Sequence, residues 1–221
     1  MSARNVVIVG GNRGIGLELC RQYKAAGDNV FCMCRSASSD LKDLGVSVVE
    51  GFDVVDDEVV TRTTQEIEID IDILIHNAGI LEGDRFPEID LDSMRRQFEV
   101  NSLGPLKTVL ALKSKMKVGS KVGIVSSRVG SIADNSSSNN YGYRTSKTAV
   151  NMISKCLALD LKERDVSLRI LHPGYVKTEM TGGNGNILPD EAARGLITQM
   201  DSLSLENTGQ FFHANGESLP W

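Results

Sequence analysis

The sequence has no apolar run approaching the roughly 20 residues that span a bilayer as a helix, so a transmembrane protein is not expected. It also lacks a charged-then-apolar leader. Met1-Ser2-Ala3-Arg4-Asn5 passes directly into Val6-Val7-Ile8-Val9 without a small-residue cleavage site. Basic residues are not in excess: 24 Lys and Arg face 29 Asp and Glu, a net charge of −5, which argues against nucleic acid or an anionic membrane surface as partner. Metal ligands are scarce. The four cysteines (Cys20, Cys32, Cys34, Cys156) have neither CxxC spacing nor histidines at zinc-ligand distances, so no metal is expected. Together these absences describe a soluble, cytoplasmic protein with reduced, structural thiols.

What is present is ordinary globular composition, 41% hydrophobic and 24% charged, over 221 residues, enough for a core without disulfides. Short β-branched runs at 5–9, 30–34, 46–49, 71–75, 120–125 and 167–171 read as strands. Between them, helices are expected at about 14–26, 56–69, 90–117, 142–164 and 190–200, with Gly104-Pro105 breaking or kinking the third. Strands apolar on both faces that alternate with helices predict an α/β fold: a single Rossmann-like domain, a doubly wound parallel sheet with helices on both faces. The segments 134–140 and 181–186 are too short for linkers and read as active-site loops.

Gly10-Gly11-Asn12-Arg13-Gly14-Ile15-Gly16 ends a strand and opens a helix. In that context Gly10 allows a sharp turn, Gly14 a close backbone approach to a pyrophosphate, and Gly16 tight packing of helix on sheet. The amides at the helix start would then face the anion. A site for NAD usually has an acid at the end of the second strand. Here the chain reads Cys34-Arg35-Ser36, and Arg13 projects from the glycine turn. Two guanidiniums suit the 2′-phosphate of NADP(H) through paired charge-assisted hydrogen bonds.

Tyr143 and Lys147 stand at i and i+4 on one helix face. A phenol with an ordinary pKa of about 10 is a poor acid at neutral pH, and a lysine cation nearby would pull it toward the working range. The strand at 120–125 runs into Ser126-Ser127, whose hydroxyls can reach a substrate carbonyl, and Asn101 could link the lysine to solvent through a water. Tyr141 competes poorly with Tyr143, because its i+4 position is Thr145.

These pieces, with Asp53-Val54, Asn77-Ala78-Gly79 and the run from Pro173 to Thr178, resemble the short-chain dehydrogenase/reductase family over essentially the whole chain. Within it, the Asn-Arg-Gly-Ile-Gly turn, Tyr141-Gly142-Tyr143 and the ending Gly216-Glu217-Ser218-Leu219-Pro220-Trp221 are similar to the C-factor and sniffer-type carbonyl reductases. The resemblance implies roles. Tyr143 would be the acid/base, Lys147 would tune it and hold the nicotinamide ribose, Ser127 would polarise the carbonyl, and Asn101 would hold a relay water. Gly10, Asn12, Arg13, Gly14, Ile15, Gly16 and Arg35 would bind the phosphate end. Asp53 would meet the adenine amino group, with Val54 beside the ring. Asn77, Ala78 and Gly79 would line the adenosine side, and Pro173, Gly174, Val176 and Thr178 would cover the nicotinamide.

The chain divides in this reading into a dinucleotide-binding half at about 1–118 and a catalytic and substrate half at 119–221. The substrate is a small carbonyl compound or alcohol, and the assembly a homodimer or homotetramer. There are departures from the family pattern. Val9 and His76 replace a threonine and an asparagine, and Ser127 and Tyr143 lie 143 − 127 = 16 positions apart, more than in the commonest members. That longer spacing leaves open which of Ser126 and Ser127 faces substrate; Ser127 is the choice. His172 is expected to be a hydrogen-bonded structural residue. A different kind of function, a dinucleotide-binding signalling protein with little turnover, would not need all four of Asn101, Ser127, Tyr143 and Lys147.

Overall fold

The structure, a computed structural model, describes residues 3–221. The strands β1 (Asn5–Val9), β2 (Asn29–Met33), β3 (Ser47–Val49), β4 (Ile71–His76), β5 (Met116–Val125), β6 (Ser167–His172) and β7 (Phe211–His213) form one sheet in the order β3-β2-β1-β4-β5-β6-β7. Every neighbouring pair is parallel. The order reverses between β1 and β4, which opens a crevice at the carboxyl ends of those strands.

Alternate strand residues face opposite layers, as a period of two requires. Val7 and Val9 join Leu74, Val122 and Ile124 in one apolar cluster, where they meet α3 (Asp57–Gln65), α5 (Gly104–Leu112) and α6 (Tyr141–Lys162) through Val60, Val109 and Leu157. Val6 and Ile8 join Ile73 and Ile75 in the other, against α1 (Gly14–Ala25) and α7 (Pro189–Asp201) through Leu19, Leu196 and Met200. The doubly wound parallel sheet expected from the sequence is therefore present, with helices on both faces. Among the described residues, no helix is long and apolar enough to cross a membrane.

Local chemistry explains most helix starts. Asp56 accepts hydrogen bonds from the amides of Glu58 and Val59 at α3, and Asp90 from those of Asp92 and Ser93 at α4 (Leu91–Phe98). The acidic residues Asp56, Asp57 and Glu58 thus form an exposed helix start. α1 is different: Arg13 supplies no side-chain cap, and the first turn has no acidic residue. Its first amides and the positive end of its dipole are left open to an anion.

Several boundaries differ from expectation. The helix expected over 90–117 is α4, a π-helical turn at Glu99–Leu103, then α5, and the chain re-enters the sheet at Met116. Pro105 has no N–H for the carbonyl of Asn101 four residues back, and its ring crowds that carbonyl, so the regular helix ladder fails there. β5 starts early because its register to β4 jumps between Ile71 and Ile73, with Gly119 at φ +87°. The third helix stops at Gln65 rather than 69. The short α2 (Ser39–Asp43) and the edge strand β7 carry too little periodicity to be seen in sequence.

Gly16 shows how tightly the first turn is built. A Cβ there would lie 2.1 Å from the Gly10 carbonyl oxygen and 2.7 Å from Asn77 Nδ2. Gly16→Ala is expected to cost about 1–3 kcal/mol, as overpacking does, read as a fall of several degrees in Tm by thermal denaturation.

Candidate active site

The glycine turn, the segment after β4 and the ends of β5 and β6 all meet at the carboxyl edge of the sheet. Gly10, at φ +83°, has no room for a side chain because Ala78 backbone atoms lie 2.7 Å from where its Cβ would be. Asn77 and Ala78 donate their backbone N–H groups to the Val9 carbonyl at 2.9 and 3.0 Å, and Asn77 Nδ2 donates to the Gly10 carbonyl at 3.0 Å. On the other side, Asn12 Oδ1 accepts from the Ser38 amide, and Ser38 Oγ donates to the Asn12 carbonyl at 2.8 Å. The turn is therefore fixed to both neighbouring strand ends. Gly11 packs on thiols: a Cβ there would come within 2.6 Å of Cys32 Sγ and 2.7 Å of Cys20 Sγ. A hydrogen bond with Cys20, then burial, pushes the Cys32 thiol upward, and a hydrogen bond with Cys32, then burial, pushes up Cys34, so both stay protonated packing groups, as expected.

Tyr143 and Ser127 line a cavity of about 440 Å³ together with Ile15, Pro173, Gly174, Val176 and Thr178. Lys147 lies behind them, 4% exposed, with Nζ donating to the Val125 carbonyl at 3.0 Å and 5.6 Å from the Tyr143 ring centroid. Gly79 borders the same point, since a Cβ there would sit 3.1 Å from Asn101 Oδ1 and 3.6 Å from Lys147 Nζ. The two serines separate clearly. Ser126 Oγ donates to Asn151 Oδ1 at 2.6 Å, whereas Ser127 Oγ accepts from the Val129 amide at 3.4 Å and lines the cavity with Tyr143.

Burial pushes the Tyr143 phenol up to about 12, with the Ser127 hydroxyl acting in the opposite direction, and burial pushes Lys147 down to about 8. The expected depression of the phenol by Lys147 does not set the direction here: burial is the largest cause of the Tyr143 shift and the cause of the Lys147 shift, and it favours the uncharged form of each.

Asn101 occupies the π-helical turn. Its Nδ2 donates to the Ile80 carbonyl at 2.9 Å and to Ser146 Oγ at 3.0 Å, and its Oδ1 accepts from the Ile80 amide at 2.8 Å. Both amide hydrogens are used, so the side chain keeps only one lone pair for a water. Its backbone carbonyl loses Pro105 as a donor, since proline has no N–H. Gln97 repeats the pattern one turn earlier, accepting from the Glu82 amide at 3.1 Å and donating to the Glu82 carbonyl at 3.0 Å.

The remaining residues divide. Val54 is buried beneath Gly104, and Asp53 Oδ1 accepts from the Val55 amide. Arg35 is exposed beyond β2. Arg13, expected to stand free for a phosphate, instead pairs with Glu179 at 2.8 Å across the crevice, with both side chains at least two-thirds exposed (68% and 73%). Such a pair is worth about 0–1 kcal/mol and yields readily to a stronger anion. His172 lines the cavity, but its Nδ1 is buried without a partner, contrary to the hydrogen-bonded residue expected, and its ring meets His213 edge-on at 4.8 Å. Burial holds both His172 and His76 down to about 3, so both are neutral.

One supporting residue had no sequence signal. Asp84 accepts hydrogen bonds from the Tyr141 and Gly142 amides, the latter at 3.2 Å, and caps α6 from 57 residues away in the case of Tyr141. Nothing local marks it.

The profile of the short chain dehydrogenase family matches residues 4–186. Two curated relatives are similar along most of their length. The 1-hydroxy-2-glutathionyl-2-methyl-3-butene dehydrogenase of Rhodococcus sp. (strain AD45) is 39% identical, covering 98% of this chain and 99% of the relative. The C-signal of Myxococcus xanthus is 35% identical, covering 68% and 93%. Among solved structures, a carbonyl reductase from Pseudomonas aeruginosa PAO1 in complex with NADP superposes with a TM-score of 0.88 at 31% identity, covering 100% of both chains. The carbonyl reductase Sniffer of D. melanogaster superposes with a TM-score of 0.91 at 26% identity, again over 100% of both chains. The chain belongs to the short-chain dehydrogenase family and is an oxidoreductase of that family. Its resemblance to these carbonyl reductases extends over the whole fold, and its sequence similarity to C-signal over 68% of the chain.

Asp84→Ala is expected to remove the cap that sets the start of α6, at a cost of about 1 kcal/mol. The check is thermal denaturation: Tm should fall by roughly 2–4 °C for a chain of this size.

Proposed function

We infer that the protein is an NADP(H)-dependent carbonyl reductase acting on a ketone or aldehyde, or in reverse on the alcohol. The observation that carries this reading is the meeting of Tyr143 and Ser127 in one cavity, with Lys147 behind them, at the mouth of the uncapped α1. The site fits a dinucleotide by its own chemistry. The turn at Gly10–Gly16 is pressed against Ala78 and Asn77, α1 presents open amides, and Arg13 and Arg35 are exposed at the two ends of the adjoining loops. Gly10, Asn12, Gly14, Ile15 and Gly16 would hold the phosphates, Arg13 and Arg35 the 2′-phosphate, and Asp53, Val54 and Asn77 to Gly79 the adenosine end. Pro173, Gly174, Val176 and Thr178 would cover the nicotinamide. The NADP-bound relative from Pseudomonas supports this choice of cofactor.

The cofactor, when bound, supplies the hydride in reduction and accepts it in oxidation. The chain's own groups handle the proton. Ser127 donates a hydrogen bond to the substrate oxygen and holds it beside Tyr143. In reduction Tyr143, a neutral phenol at physiological pH, gives its proton to the oxygen as negative charge develops there. Lys147 keeps a positive charge close to the phenolate that remains. A water held by Asn101 and Lys147 would return the proton from solvent. The apolar exposed residues Phe98 and Leu110, with Met152 and Leu159 of α6, support a homodimer or homotetramer as part of this reading. The division into a dinucleotide-binding half at about 1–118 and a catalytic half at 119–221, and a cytoplasmic location, belong to it too.

A second reading rests on the similarity to C-signal: a dinucleotide-binding regulatory protein with little turnover. Following NADPH absorbance with a panel of activated ketones and aldehydes separates the two. Tyr143→Phe is expected to lower the rate about 10²–10⁴-fold, the usual worth of a positioned acid. Tight NADPH binding without turnover on any carbonyl would favour the regulatory reading. Arg35→Glu is expected to weaken NADPH binding by about tenfold or more, since a charge-assisted hydrogen bond is worth about 1.5–3 kcal/mol. NADH binding should barely change, and equal losses for both cofactors would remove the 2′-phosphate role.

A further inference from the structure

One side of the cavity is not explained by carbonyl reduction. Val129, Tyr175, Val176 and Met180 give it an apolar side, but the loop before α6 makes the facing wall polar through Asn135, Ser137 and Arg144. Two arginines line the cavity, and they are in different electrostatic states. Arg128 is neutralised by Asp134 and by Glu217 at 3.0 Å. Arg144 is held by neutral acceptors only: Nε donates to the Asn139 carbonyl at 2.9 Å, Nη1 to Asn135 Oδ1 at 2.9 Å and Nη2 to Ser137 Oγ at 2.8 Å. Among the described residues no carboxylate lies within ion-pairing distance of it.

The hydrogen bonds fix the guanidinium without cancelling its charge, and of its five N–H donors each terminal nitrogen retains one. A planar, immobilised cation with one N–H left on each terminal nitrogen can donate two charge-assisted hydrogen bonds to a carboxylate. The loop that fixes it includes two consecutive left-handed residues, Asn139 at φ +79° and Asn140 at φ +51°. It is also the stretch that makes the Ser127–Tyr143 spacing long. Arg144 and Tyr143 both line this cavity, so a substrate whose oxygen meets Tyr143 can also reach Arg144.

We propose that the preferred substrate carries a carboxylate on the arm that runs along the 135–140 loop, and that Arg144 determines this specificity by binding it. The proposal rests on the carbonyl-reductase reading and names the substrate class within it. The apolar side receives the remainder of the molecule, so the substrate is an amphipathic carbonyl compound or alcohol with an acidic end.

The test compares 4-carboxybenzaldehyde with its methyl ester, of similar shape but uncharged, in NADPH-dependent reduction by the native protein, Arg144→Gln and Arg144→Lys. The native protein is expected to favour the acid by about tenfold in kcat/KM, mainly through KM, the worth of one charge-assisted pair. This ratio should fall to near unity in Arg144→Gln, fall less in Arg144→Lys, and shrink at high salt in both the native protein and Arg144→Lys. Poor folding of a variant lowers the rate on both aldehydes alike, so the ratio still reports the folded site, and a native-like ratio in Arg144→Gln would overturn the proposal. No preference in the native protein, or equal loss of the ratio in the Lys and Gln variants, would overturn the proposal.

If neither aldehyde is reduced, the reductase reading fails, and binding decides the inference about Arg144. Calorimetry of 4-carboxybenzyl alcohol and its methyl ester against protein loaded with NADP+ should then show tighter binding of the acid to the native protein, lost in Arg144→Gln. Equal binding of both would overturn it.

Discussion

The site depends on a pair of side-chain amides that behave as if they were a strand. Gln97 and Asn101, one helical turn apart, each accept from a backbone N–H and donate to the same residue's C=O, at Glu82 and Ile80. The segment leaving β4 thus pairs with two side chains in place of a sheet edge. Asn101 continues into α6 through Ser146 Oγ, and Ser102 Oγ donates to the Ser146 carbonyl at 2.8 Å. One amide therefore fixes the distance between the strand end that borders the cofactor crevice and the helix that carries Tyr143 and Lys147. Unmet, these buried polar groups would each cost about 1–3 kcal/mol, which makes alternative spacings unfavourable.

The electrostatics of the cavity follow from burial more than from attraction between neighbours. Lys147 is taken out of water with only a neutral carbonyl as partner, and its ammonium is destabilised accordingly. Tyr143 is shifted the other way, so both groups favour their uncharged forms more than they would in solution. His76 and His172 obey the same rule, and neither adds charge to the cavity. Against this neutral interior, Arg144 stands out at the rim as a fixed cation with only neutral partners.

How much of this was readable beforehand depended on range along the chain. The glycine turn, the Tyr143–Lys147 spacing and the strand-ending serines are local patterns, and the structure brings them to one edge of the sheet. Pro105 announced a break, but its form, a π-helical turn that contains Asn101, depends on packing against Ile80 and Ser146. β7 is three residues long and pairs only with β6, so its period could not speak. Asp84 at α6 and Glu179 on Arg13 are contacts between distant segments, invisible to spacing. The direction of the Tyr143 shift was misjudged because helical spacing measures proximity to a charge and says nothing of distance from water.

The bedding of the glycine turn has a consequence for the chain's reactivity. Cys20, Cys32 and Cys34 are buried, with two of their sulfurs against Gly11, where not even a methyl group would fit. An oxygen or an alkyl group added to either sulfur would need that same space, and the Cys32 and Cys34 thiols, held protonated, are poor nucleophiles in any case. Cys156, exposed on α6 away from the cavity, is the remaining thiol. In chemical terms the folded protein presents a single handle, so a thiol-selective dye or spin label attaches at one defined place on the helix that carries Tyr143 and Lys147.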